Sequence, residues 1–156
     1  MFKLNSSNII ENYKLFTVYV MSFMYVFIGI KHFTDPQYFL DIVPPQFPFK
    51  LFLVYVTGLM EIIGGVAILI PKTRRAGAFI LIFLLLVVFP ANIYLYISEA
   101  PQKALGISKM DALIRMPFQI PLIIIAYWHT KKNHPKWVVD LSLLVFLPTV
   151  IYFLSI

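Results

Sequence analysis

The chain has 156 residues, of which 60% are hydrophobic and 13% charged, with a net charge of +6 and a mean hydropathy of +0.84. No soluble domain of this size hides so much apolar surface, so the composition excludes a water-soluble globule. Cysteine is absent, which excludes a thiol–disulfide carrier, a Cys-ligated iron–sulfur centre and a zinc–thiolate site.

In chain order, apolar runs bounded by charge or proline predict membrane helices at about residues 14–31, 50–70, 76–97, 112–129 and 137–156. Crossing a hydrocarbon core of about 30 Å takes about 20 helical residues, so five crossings use nearly the whole chain. The first run follows a polar stretch containing Glu11 and has no small-residue cleavage site before Lys31 and His32, so it is expected to be a retained helix. The fourth carries Pro117 and Pro121 near its start, which predicts an irregular first turn. Just before it, Ser108 followed by Asp111 has the pattern of a helix N-cap, which would lengthen the helix into the preceding loop. The expected fold is an all-α, polytopic membrane helical bundle forming one domain over 1–156.

Lysine and arginine set the expected orientation. With the N-terminus in the cytoplasm, the inner side holds Lys3, Lys14, Lys72, Arg74, Arg75, Lys131, Lys132 and Lys136. The outer side holds Lys31, Lys50, Lys103, Lys109 and Arg115. The tight Lys72-Thr73-Arg74-Arg75 turn carries the most weight, and it points to an N-terminus inside and a C-terminus outside. The net positive charge is then juxtamembrane anchoring to anionic lipid rather than a nucleic-acid surface.

Function is sought in the polar residues that hydrocarbon disfavours. Glu61 lies near the centre of the 50–70 run. An acid there costs on the order of 3 kcal/mol on insertion scales, which the run's many Leu, Ile, Val and Phe residues offset at roughly 0.3–0.6 kcal/mol each. Glu61 is therefore expected to face the bundle interior, with Gly58 and Gly65 on the same face admitting a neighbouring helix. Two roles fit it: a buried acid that pins two helices together, or a carboxyl that handles a proton or a ligand.

Asn92 follows Pro90, which lacks the N–H that would bond the Leu86 carbonyl, so a kink with free polar groups is expected beside an amide. That site suits a ligand or water, and equally a kink satisfied by neighbouring helices. Arg115 and Gln119 are four apart and are expected to stack on one helical face. His32 is expected to close the first helix at the outer surface. Arg115 alone would read as a snorkelling anchor and His32 alone as interfacial. Together with Asn92 and Gln119 they form a polar funnel above the deeper Glu61. His129 and His134 fall near the inner surface and are assigned no chemistry, and their separation from His32 argues against a bis-histidine haem. No metal site is expected. Tyr13, Tyr94, Tyr96, Trp128 and Trp137, at the ends of the runs, are expected to form an aromatic belt.

Several of these residues fall in short motifs: Gly29-Ile30-Lys31-His32-Phe33 with Pro36 and Phe39, Ile42-Val43-Pro44-Pro45, and Thr57-Gly58-Leu59-Met60-Glu61-Ile62-Ile63-Gly64-Gly65. Phe89-Pro90-Ala91-Asn92 and Arg115-Met116-Pro117-Phe118-Gln119 complete the set. In order and spacing, from about residue 15 to 130, they resemble the DoxX family of small bacterial membrane proteins. The resemblance implies a four-helix core, to which this chain adds a fifth, C-terminal transmembrane helix from Trp137, and a place in a bacterial cytoplasmic membrane. It also implies association with membrane redox complexes and, by architectural likeness, with bundles that bind or isomerise sterols and lipids. The function expected is binding of a lipophilic small molecule, quinone-like or lipid-like, with Glu61 as the proton-exchanging group and His32, Asn92, Arg115 and Gln119 as ligand-binding residues. A quinone is the cofactor that would fit, and membrane lipids, a redox-complex subunit or a second copy of the chain are the expected partners. A structural or assembly subunit without a ligand is the alternative from a different class.

Overall fold

The computed structural model describes residues 6–155, with side chains from 8 to 152. Lys3 and Ile156 lie outside the described residues. The fold is all-α. Helix α1 spans Ser6–Thr34, α2 Pro36–Leu40, α3 Lys50–Leu69, α4 Arg74–Ile97, α5 Glu99–Leu105, α6 Lys109–Arg115, α7 Gln119–Trp128 and α8 Lys136–Ser155. Among the described residues four segments are long and apolar enough to cross a membrane: Asn8–Thr34, Lys50–Leu69, Arg74–Ile97 and the two-part Lys109–Trp128. The protein is thus a multi-span membrane helical bundle. Helix α8 has 20 residues, about the length of a further crossing at roughly 1.5 Å per residue.

The helices pack in a ring. α1 lies on α3, α3 on α4, α4 on α6 and α7, and α7 on α8. Phe146 of α8 closes the circuit against Tyr13 and Phe16 of α1, edge-on at 5.8 and 5.9 Å between ring centroids. The apolar core of Val18, Met21, Ile68, Leu81, Leu84, Ile125 and Phe146 fills the half of the bundle containing the α3–α4 turn. The opposite half, toward the C-terminal end of α1 and the N-terminal end of α3, contains the site described below.

The fourth predicted span is broken, for the reason its prolines suggest. Pro117 and Pro121 have no N–H to give, so α-helical bonding yields to tighter bonds through Met116-Pro117-Phe118: Met116 N–H to the Leu113 carbonyl at 3.3 Å, and Ile120 N–H to the Pro117 carbonyl at 3.1 Å. The expectation that Arg115 and Gln119 stack on one continuous helical face is therefore corrected. Arg115 ends α6 and Gln119 begins α7. The capping pattern holds: Ser108 Oγ accepts from the Asp111 N–H at 3.1 Å, and Asp111 Oδ2 accepts from the Ser108 N–H at 2.9 Å. α6 thereby starts at Lys109, ahead of the predicted residue 112.

Two short helices fall where the sequence suggested only loop. α2 opens on Pro36, whose missing N–H costs nothing in a first turn. α5 ends at Gly106, which takes the left-handed conformation at φ 65°.

Candidate functional site

Two glycines place the centre of the site. Tyr25, Gly29 and His32 fall four and three residues apart on α1, and Gly58 and Glu61 three apart on α3, so each set forms one helical stripe. A Cβ on Gly29 would stand 2.7 Å from the Gly58 carbonyl oxygen, and one on Gly58 would strike the His32 side chain. With only hydrogen at both positions, α1 and α3 meet backbone to backbone.

That approach sets His32 Nδ1 3.1 Å from Glu61 Oε2. The same nitrogen lies 3.0 Å from the Ile28 carbonyl oxygen. A carbonyl only accepts, so Nδ1 donates its hydrogen to the Ile28 carbonyl, and the Glu61 carboxyl stands beside that bond with Oε2 buried and outside any hydrogen bond among the described residues. Phe39 of α2 stacks on the imidazole, with centroids 3.5 Å apart and planes at 21°. His32, two residues from the end of α1, is consequently 5% exposed, buried by protein at the end of the helix. α1 continues to Thr34, and α2 folds Phe39 over the ring.

Glu61 and His32 open onto a cavity of about 260 Å³, and all five residues singled out in the sequence line it: His32, Glu61, Asn92, Arg115 and Gln119. They come from α1, α3, α4, α6 and α7 in turn. The walls between them are mostly apolar, with Ile28, Leu53, Val54, Leu85, Val88 and Leu122 prominent. Gln119 is buried, and its side-chain amide donates to the Leu85 carbonyl at 3.3 Å. It thus braces the stretch of α4 leading into Pro90. Asn92, two residues beyond that proline, is half-buried. At the mouth, Arg115 Nη1 donates to Tyr38 Oη at 3.2 Å.

Sequence reasoning missed Tyr25, Tyr38 and Phe39. Tyr25 lines the cavity and is buried, and its hydroxyl has no hydrogen-bond partner among the described residues. The available signal was its spacing, seven residues before His32 on the same stripe of α1. Thr57 also lines the cavity, but its hydroxyl is engaged by the Leu53 and Val54 carbonyls, each at 3.0 Å.

The other end of the bundle has a different character. His129 is buried, with Nε2 3.1 Å from Thr17 Oγ1. Burial, reinforced by the charges of Lys14 and Arg74 and by His134, pushes its pKa down to about 3. Burial and the charges of Lys14 and Lys131 also lower His134. Lys14 donates to the Lys131 and Lys132 carbonyls at 2.8 and 3.3 Å, and Arg74 donates to those of Ile68 and Leu69 at 2.9 and 3.2 Å. Arg74 thereby sits at the C-terminus of α3, where the backbone dipole favours a cation, and Lys14 ties α1 to the loop after α7. Trp128 is 1% exposed, with Lys14 Nζ 5.4 Å from its ring centroid. It is a core residue and not part of an aromatic belt, whereas Trp137 is well exposed. Among the described residues no three His, Asp or Glu side chains are arranged to hold a metal ion.

Neither a curated protein nor a solved structure matches the chain, and the DoxX likeness of the motifs is not accompanied by a match to that family. A family model described as a domain of unknown function, DUF8561, matches residues 21–130. That stretch contains every polar residue of the cavity from Tyr25 to Gln119, and the chain belongs to this family.

Proposed function

We propose that this protein binds a lipophilic small molecule with a carbonyl- or hydroxyl-bearing head, quinone-like or lipid-like, in the cavity between α1, α3, α4 and the broken α6–α7 segment. The observation that carries the proposal is convergence: five polar residues from five helices meet at one mostly apolar cavity. Helix packing alone requires a polar side chain to find a partner. It does not require Asn92 to present an amide to open space, and among the described residues no protein group engages that amide.

In this account Glu61 and His32 exchange a proton or hydrogen bond with the ligand head, Asn92 orients it, and Gln119 keeps the wall at Pro90 in shape. Arg115, steadied by Tyr38, holds polar or anionic atoms at the mouth. The DoxX-like motifs bear on the account because they include these same residues. If the ligand is a quinone, that likeness extends the proposal to a subunit of a membrane redox complex in a bacterial cytoplasmic membrane. The cavity would then lie toward the outer face, with the Lys72–Arg75 turn inside.

Native mass spectrometry with lipid extraction tests the proposal on the detergent-purified protein, wild type beside Glu61→Gln and Arg115→Ala. A discrete small molecule carried by the wild type and lost from both variants is the expected result. Three proteins of equal stability that carry nothing specific would instead make the His32–Glu61 pair a packing device, and the chain a structural or assembly subunit.

A further inference from the structure

The cavity is not bounded by protein on every side, and the gap falls where a membrane would supply hydrocarbon. Near their shared turn α3 and α4 are in tight contact. A Cβ on Gly77 would stand 2.6 Å from the Ile68 nitrogen, and one on Gly64 would stand 2.6 Å from a Leu81 methyl. Toward the other end the cavity itself lies between the two helices, with Leu53 and Thr57 on the α3 side and Val87 and Ala91 on the α4 side. Val87 stands near the middle of α4, and it both lines the cavity and is 48% exposed. Pro90, one turn on, does the same. A lining residue this exposed stands where the cavity is open to its surroundings. At that depth the exterior is acyl chain and not water.

Volume decides what such an opening is for. About 260 Å³ falls below the range of about 300–1,000 Å³ that encloses a drug-sized ligand. A ring-sized head fits inside, and a lipid with its chain does not.

We propose that the α3–α4 gap is a lateral portal, and that the ligand is a single-chain amphiphile whose head meets Glu61 and His32 while its apolar chain leaves past Val87 and Pro90 into the bilayer. The proposal rests on the binding function proposed above and names its ligand class and route of entry. Val87 offers the head no polar group, and because it is exposed a larger side chain there narrows the opening without entering the core.

The test uses the full-length protein in detergent, titrated with decylubiquinone and with the same dimethoxy-methyl-benzoquinone head lacking a chain. Wild type should bind the chain-bearing probe more tightly. Val87→Trp should weaken that probe by about tenfold, the equivalent of losing about two buried methylenes, and weaken the chain-free head far less. Phe83→Trp, one turn away on the exposed face of α4, should alter neither. If Val87→Trp weakens both probes equally, or neither, or if the wild type takes the head and rejects the chain, the portal is refuted while head binding stands. If the wild type binds neither probe, the portal and the quinone-like form of the binding proposal fall together.

Discussion

His32 Nδ1 lies 3.1 Å from Glu61 Oε2 and 3.0 Å from the Ile28 carbonyl oxygen, so its own helix holds the imidazole in place beside the buried carboxyl. The pair stands at an apolar cavity, where hydrogen bonds and charges are stronger than in water, and Glu61 Oε2 has no hydrogen-bond partner among the described residues. Glu61→Gln preserves size and one acceptor oxygen but removes the exchangeable charge. It should weaken binding of decylubiquinone by about tenfold while changing the melting temperature by only a few degrees. Calorimetric titration and thermal unfolding in detergent check both halves.

Gly58 is predicted to be the least tolerant position of the site. A side chain there meets His32, so Gly58→Val must push α1 from α3 or displace the imidazole, and overpacking of this kind costs about 1–3 kcal/mol. The expected outcome is a lower melting temperature together with lost ligand binding, whereas Gly106→Ala, strained by its φ of 65° but with nothing within 4 Å of the added Cβ, should cost about 1 kcal/mol of stability and leave binding intact.

At the opposite end, His129 makes stability depend on pH. Its folded pKa is pushed down to about 3, by burial first and then by Lys14, Arg74 and His134, against about 6.5 when unfolded. Between those values the unfolded chain holds the extra proton. Stability should therefore be full above about pH 6.5 and fall toward pH 3, by at most about 1.4 kcal/mol per pH unit. Thermal unfolding in detergent from pH 7.5 to 5 should show the decline, and His129→Gln should flatten it.

The orientation has its own test. If the Lys72–Arg75 turn is cytoplasmic, a cysteine introduced at Lys72, in a chain with no other, should resist membrane-impermeant maleimide in intact cells and react after permeabilisation. A cysteine replacing Lys103 should react in both.

What was legible in the sequence was what the membrane makes expensive. Glu61 stands out because a charge in an apolar run demands a reason, and Pro90-Ala91-Asn92 because proline breaks bonding wherever it sits. Ser108 and Asp111 were legible because a capping box is local. The contacts that finish the site depend on chain geometry beyond one helix. Phe39 covers His32 only because α2 turns the chain back after Asp35, and five residues of helix leave little periodicity to detect. Trp128 could not be told from a belt residue, since an aromatic side chain at a helix end looks the same until α1 brings Lys14 across it. Gln119 reaches the cavity through the helix break that Pro117 and Pro121 signalled, and not along one continuous helix with Arg115.

The most direct test of the account is whether the cavity itself, rather than its polar residues, is the container. Ala91 lines it without making any polar contact the account uses, and Ala91→Phe would fill it with a ring. Native mass spectrometry of this variant, purified beside the wild type and Phe83→Trp, should show the co-purifying molecule retained by wild type and Phe83→Trp and lost from Ala91→Phe, with all three proteins folded. A ligand carried undiminished by Ala91→Phe would contradict the claim that this cavity is where the protein binds it.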